Sequence, residues 1–153
     1  MTSERHDRDP VFRTAKQVVD FLLEEIRLAY MNRDFPRYRK RLSLPHRLGT
    51  FDGDVDLKTE EDIRRLFDDM RAYLDERGVI DLARHTVSAQ FITSDLIEAT
   101  FVSRHVTRDY RLSEEVIGHG TLRHENGIWR IPECRYATQE AAFNRTLRRL
   151  VRT

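Results

Sequence analysis

Apolar residues recur along the chain in two periods, and the switches between them mark out its elements. Val18, Val19, Leu22, Leu23, Ile26, Ala29 and Tyr30 fall three or four apart, which is one face of a helix. In front of them Thr14-Ala15-Lys16-Gln17 has the form of a capping box: the threonine hydroxyl takes a free backbone N–H and Gln17 reaches back. This helix is predicted to run to about Asn32. A short turn of helix follows over 35–40, with Pro36 suited to its first position. Ile63, Leu66, Phe67, Met70, Tyr73 and Leu74 form a second stripe behind Thr59, and Gly78 supplies its left-handed stop. A third helix is predicted after Thr138, with Ala142, Phe143, Leu147, Leu150 and Val151 turned inward.

Elsewhere the period is two. Leu42, Leu44, His46 and Leu48 alternate up to an Asp52-Gly53 turn signal, and a short return strand covers 55–57. Four longer strands are predicted over 84–92, 96–108, 115–124 and 128–136, the last two joined by Asn126-Gly127. The order is helix, short helix, hairpin, helix, four-strand meander, helix. It implies an α+β fold: a curled antiparallel sheet with helices on one face, and an extra C-terminal helix. Residues 1–13 read as a flexible lead-in and 14–153 as a single domain.

The meander can be registered from its turns, because a slip of one residue moves every side chain to the other face. Asn126-Gly127 pairs Glu125 with Ile128 and, farther along the ladder, Gly120 with Glu133 and Gly118 with Arg135. Matching apolar faces sets Phe91 against Ile97, Ala89 against Ala99, Val87 against Phe101 and His85 against Ser103. Thr107 opposite Val116 then brings His105 beside Gly118. In this register His85, Ser103, His105, Glu133 and Arg135 share the inner face with two glycines. That is a cavity with an apolar floor and a few convergent polar groups. Cys134 falls on the face opposite Trp129 and Ile131 and reads as an inert thiol.

Composition narrows the partners. With 27 Lys and Arg against 26 Asp and Glu the formal charge is +1, which gives no overall case for nucleic-acid binding. The near-neutral sum averages segregated blocks: a basic segment at 33–47, acidic residues over 50–76 and a basic tail. The expected arrangement is the basic turn lying beside the acidic helix. No apolar run approaches the roughly 20 residues of a membrane span. Cys134 is the single cysteine, so an internal disulfide is impossible and a cytoplasmic location is implied. No metal-ligand spacing of the His-Glu-x-x-His kind is present, and neither a metal nor a cofactor is implied.

Tyr30-Met31-Asn32-Arg33-Asp34-Phe35, Gly127-Ile128-Trp129-Arg130-Ile131 before Arg135, and the element order together resemble one superfamily. This is the nuclear transport factor 2-like, or SnoaL-like, superfamily of ketosteroid isomerase, scytalone dehydratase and polyketide cyclases. The resemblance implies a cystatin-like fold, a cone-shaped, curled antiparallel sheet wrapped on the N-terminal helices, whose interior is a ligand pocket, and a homodimer formed through the outer sheet face. For this chain the expected ligand is an apolar oxygenated small molecule, and the expected chemistry is a cofactor-free isomerase, cyclase or dehydratase reaction. His85 or His105 would move a proton, Glu133 would orient the imidazole, and Tyr30 with Arg135 would stabilise the oxyanion. Ser103, Phe101, His46, Tyr73 and Met70 are the further ligand contacts. The alternative is a non-catalytic ligand-sensing or protein-interaction module, with Thr86, Ser88, Gln90, Thr100, Val102 and Val106 on its outer face.

Overall fold

A computed structural model describes residues 8–50, 53–113 and 115–137. Helix α1 (Ala15–Met31) begins where its capping box predicts: the Gln17 backbone N–H donates to the Thr14 hydroxyl, and the Gln17 side chain accepts from the Thr14 backbone. Helix α2 (Phe35–Lys40) follows with Asp34 as its cap and Pro36 in its first turn. Helix α3 (Glu60–Glu76) is capped by Thr59 and Asp62. Gly78 after it has φ +64°, a conformation that side-chain-bearing residues rarely adopt. The predicted C-terminal helix lies outside the described residues.

The strands are β1 (Leu42–Thr50), β2 (Gly53–Leu57), β3 (Val79–Thr93), β4 (Leu96–Thr107), β5 (Val116–Glu125) and β6 (Ile128–Ala137). They form one sheet in the order β2-β1-β6-β5-β4-β3. All pairs are antiparallel except β1 with β6, so the sheet is mixed. The helices pack on one face. Val18, Val19 and Leu22 of α1 meet Ile97, Phe101, Leu122 and Trp129 in one buried cluster. A second cluster gathers Tyr30, Tyr38, Leu66, Phe67 and Leu74 over Leu42, Leu48 and Val116. The basic turn and the acidic helix lie together, with Arg39 on Glu60 at 3.2 Å and Arg33 on Asp75 at 2.8 Å.

Within the stretch read as lead-in, residues 8–13 form neither helix nor strand, yet they are docked. The Asp9 backbone N–H donates to the Gly127 carbonyl at 2.9 Å. Its carboxylate takes two bonds from Arg41, at 2.7 and 2.9 Å, and one from the Trp129 backbone N–H at 2.8 Å.

The register departs from expectation at three places, each with a local cause. Near the turns the predicted pairs form: Glu125 with Ile128, His124 with Trp129, Phe91 with Ile97, Ala89 with Ala99. Beyond Arg123, however, β6 carries one extra residue, so Thr121 pairs with Glu133 and Gly120 with Cys134. Pro132 lies in this interval and has no N–H to give to a ladder, which suits a bulge. In β3 Ser88 pairs with Thr100 but Thr86 pairs with Phe101, leaving Val87 as the extra residue. Leu82 is inward as a result, whereas an unbroken alternation from Ala89 would expose it. Finally, Phe101 rather than His105 pairs with Gly118, a shift of four residues that preserves the faces. The β4–β5 connection is longer than predicted: Tyr110 has φ 61°, and Val106 and Leu112 form an isolated bridge.

Candidate functional site

The two bulges decide which side chains reach the interior. Downstream of the β6 bulge Cys134 and Tyr136 turn inward. Glu133 and Arg135 turn to the outer face, the reverse of the expected placement. Arg135 there lies across Gly49, where a Cβ would meet its Cζ at 2.7 Å, and makes two bonds to Asp54 at 2.9 and 3.0 Å. Below the β3 bulge His85 is exposed, and Arg84 takes the inward position expected of it, pairing with Ser103.

A cavity of about 60 Å³ opens between the sheet and helices α1 to α3. That is room for a handful of waters or a small organic fragment. Its walls are mainly aliphatic, from Ile26, Leu42, Leu48, Leu66, Met70 and Leu74. Its polar groups are Tyr30, Tyr38, His46, Arg84, Ser103 and His105, with Cys134 and Tyr136 beside them. Five of the ten predicted site residues therefore line it: Tyr30, His46, Met70, Ser103 and His105. Two more are buried outside its lining. Tyr73 sets its ring edge-on to His105 at 5.8 Å, and Phe101 fills the space above Gly118, where a Cβ would sit 2.2 Å from its Cζ. That glycine makes room for a ring, not for a ligand. His85, Glu133 and Arg135 are not among the lining residues.

The ionisation of the polar groups follows from their burial. His46 donates from Nδ1 to the Ile131 carbonyl at 2.7 Å, which fixes the tautomer and leaves the lone pair on Nε2. Desolvation pushes its pKa down to about 4, against the opposing pull of that bond, so it is neutral at physiological pH. Burial raises the Tyr30 pKa, and raises Tyr38 and Tyr136 further. The Tyr30 and Tyr38 hydroxyls are hydrogen-bonded to each other. The Cys134 thiol is pushed up to about 11 by burial and is a thiol, not a thiolate, near neutrality. Arg84 donates to the Ser103 hydroxyl at 3.3 Å. Among the described residues no three or more His, Cys, Asp or Glu side chains are grouped to hold a metal ion.

Carrying alternation through both bulges hides Arg84 and Tyr136 from the sequence reading, and Tyr38 is missed because the short helix α2 is given no inward face. Two signals mark the breaks. Pro132 interrupts an otherwise continuous strand, and Leu82 and Ala89, both suited to the core, lie an odd number of residues apart.

No protein-family model matches the sequence, and no curated protein does. Solved structures do match. A domain of unknown function with a cystatin-like fold from Nostoc punctiforme has TM-score 0.64 at 17% identity, covering 92% of this chain and 97% of that one. An NTF-2 like protein of unknown function from Shewanella oneidensis has TM-score 0.59 at 9% identity, over 78% and 96% of the two chains. A ketosteroid isomerase-like protein from Erwinia carotovora atroseptica has TM-score 0.59 at 11% identity, over 84% and 99%. The chain thus has the cystatin-like, nuclear transport factor 2-like fold that its element order implies. No helix among the described residues is long and apolar enough to cross a membrane.

Proposed function

We propose that the interior cavity binds a small, largely apolar molecule bearing a carbonyl oxygen, and that the protein moves a proton on it without a cofactor, as an isomerase, cyclase or dehydratase. The observation that carries this reading is the convergence of His46, His105, Tyr30 and Ser103 on one aliphatic-walled cavity. His46 is the base, because its Nδ1–H is committed to Ile131 and its Nε2 holds the lone pair. It takes a proton from the carbon α to the carbonyl, the electron pair moves to oxygen, and Tyr30 donates a hydrogen bond to the enolate. The imidazolium returns the proton to carbon. A base with pKa near 4 is weak in the empty cavity. Negative charge developing beside it raises that value in the transition state. His105 and Ser103 act as ligand contacts.

The test is proton NMR in D2O, following loss of the α-proton signals of acetophenone and cyclohexenone. Exchange faster than in protein-free buffer, reduced about tenfold or more in His46→Gln, supports the reading. His85→Ala and Glu133→Gln leave the rate unchanged. Exchange no faster than in buffer, or equally fast in His46→Gln, ends the proposed reaction.

For assembly we propose two copies joined through the outer sheet face. That face presents both charge signs, with Arg47, Arg123 and Arg135 among Asp54, Asp56, Glu98 and Glu133, and two-fold pairing of one mixed patch with itself is the arrangement we propose. Sedimentation velocity of the wild type and Thr100→Lys decides it: a salt-sensitive dimer is expected only in the former. We also place the protein in the reducing cytoplasm, on its single, buried thiol.

A further inference from the structure

Arg84 differs from most of the arginines of the buried and half-buried parts of the molecule. Arg27, Arg41, Arg71 and Arg104 each hold an Asp or Glu oxygen at 3.0 Å or less. Among the described residues Arg84 has no carboxylate within salt-bridge distance, and its hydrogen bond goes to the neutral Ser103 hydroxyl. The acids of the adjoining groove between α1 and β3 are already engaged. Asp20 takes Lys16 at 2.7 Å and the Thr86 hydroxyl at 2.5 Å, and Glu24 takes Arg27 at 2.7 Å.

The cavity side offers no counter-charge either. Tyr30, Tyr38, Tyr136 and Cys134 are near enough to feel the guanidinium, yet burial keeps each of them protonated. His46 and Ser103 are neutral as well. A half-buried cation facing an aliphatic cavity is costly unless an anion meets it. Its planar fork is shaped for two oxygens of a carboxylate.

We propose that the cavity selects a monocarboxylate with a flat apolar body, its carboxylate held by Arg84 and its body against Leu66, Met70 and Leu74. This rests on the cavity reading above and names the class of ligand it takes. The carbonyl compound on which a proton is moved is then a keto or enoyl acid, anchored at its acid end.

Isothermal titration with benzoate and its neutral isostere benzamide, on wild type, Arg84→Gln and Arg84→Lys, tests this, with NMR shifts of cavity residues to locate binding. Benzoate is expected to bind wild type about tenfold or more tightly than benzamide. Arg84→Gln removes that preference and leaves benzamide unchanged, and Arg84→Lys retains part of it. Equal affinities for the two probes in wild type, or benzoate binding unaltered in Arg84→Gln, overturns the anionic assignment and leaves the cavity reading standing. Binding of neither probe at the cavity overturns both. A measurement without ligand adds a second check. Arg84→Met is expected to raise the Tm, because it removes an uncompensated charge, and a fall of several degrees would show that Arg84 is structural and defeat the proposal.

Discussion

Replacing Asp9 by alanine tests whether the segment ahead of α1 is part of the folded domain. The Asp9 and Arg41 side chains are 3% and 2% exposed, and the carboxylate meets both terminal nitrogens of the guanidinium at 2.7 and 2.9 Å. One of its oxygens also accepts the Trp129 backbone N–H. In Asp9→Ala the guanidinium stays buried, over the Phe21 ring, with only the Trp129 carbonyl at 3.2 Å and Glu25 at 3.5 Å left to it. Breaking a buried pair from one side costs about 3–5 kcal/mol. Glu25 offsets part of that, so about 3 kcal/mol is expected. For a domain of this size that is a fall in Tm of roughly 6–12 °C. Circular dichroism melts measure it, and urea titration checks that the m-value is unchanged. The double variant Asp9→Ala/Arg41→Met is expected to recover much of the loss, because it removes the stranded charge along with its partner. A Tm within about 2 °C of wild type for Asp9→Ala would refute the docking and return the segment to a mobile lead-in.

Three further outcomes follow from other sites. Gly118→Ala puts a methyl group into the Phe101 ring, at 2.2 Å from Cζ, and should cost about 1–3 kcal/mol in a melt; the paired change Gly118→Ala/Phe101→Leu should recover part of it. His46 has its folded pKa depressed from 6.5 to about 4, so the unfolded chain takes the proton first as pH falls. Its contribution, about 3 kcal/mol, is fully present above pH 6.5 and is lost between 6.5 and 4. The stability of His46→Gln should be flatter across that window, and an identical slope in both proteins would contradict the burial assigned to this ring. Cys134, buried and raised to about 11, should react with iodoacetamide at pH 8 only after denaturant unfolds the chain. Rapid labelling of the native protein would count against its inward position.

Local signals carried most of the architecture. The Thr14 capping box, the Thr59 cap, the Gly78 stop and the Asn126-Gly127 hairpin act over four residues or fewer, and each element they bound is present to within a residue or two at its signalled end. The helix faces followed too, so Tyr30 and Met70 reach the cavity wall as periodicity implies. Alternation along a strand is a different kind of information, because one uncounted residue inverts everything beyond it. His85, Glu133 and Arg135 were assigned to the interior by carrying alternation through the bulges at Val87 and next to Pro132. Ser103 and His105 kept their face because the β4–β5 error was an even number of residues. Gly118 and Gly120 were inward as expected, but the space above Gly118 is taken by Phe101, a pairing that depends on the unmarked connection between β4 and β5.

The extra residue in β3 has a consequence for the way this cavity tolerates change. The strand behaves as two segments of opposite phase joined at Val87. Deleting Val87 itself straightens the ladder and leaves both phases as they are, with Arg84 still opposite Ser103. Deleting Thr86, its immediate neighbour, has the same result, because Val87 then takes the pairing with Phe101 and the residues before it keep their places. The bulge is thus a spare residue: the strand can lose either of these two positions and still hold the guanidinium toward the cavity.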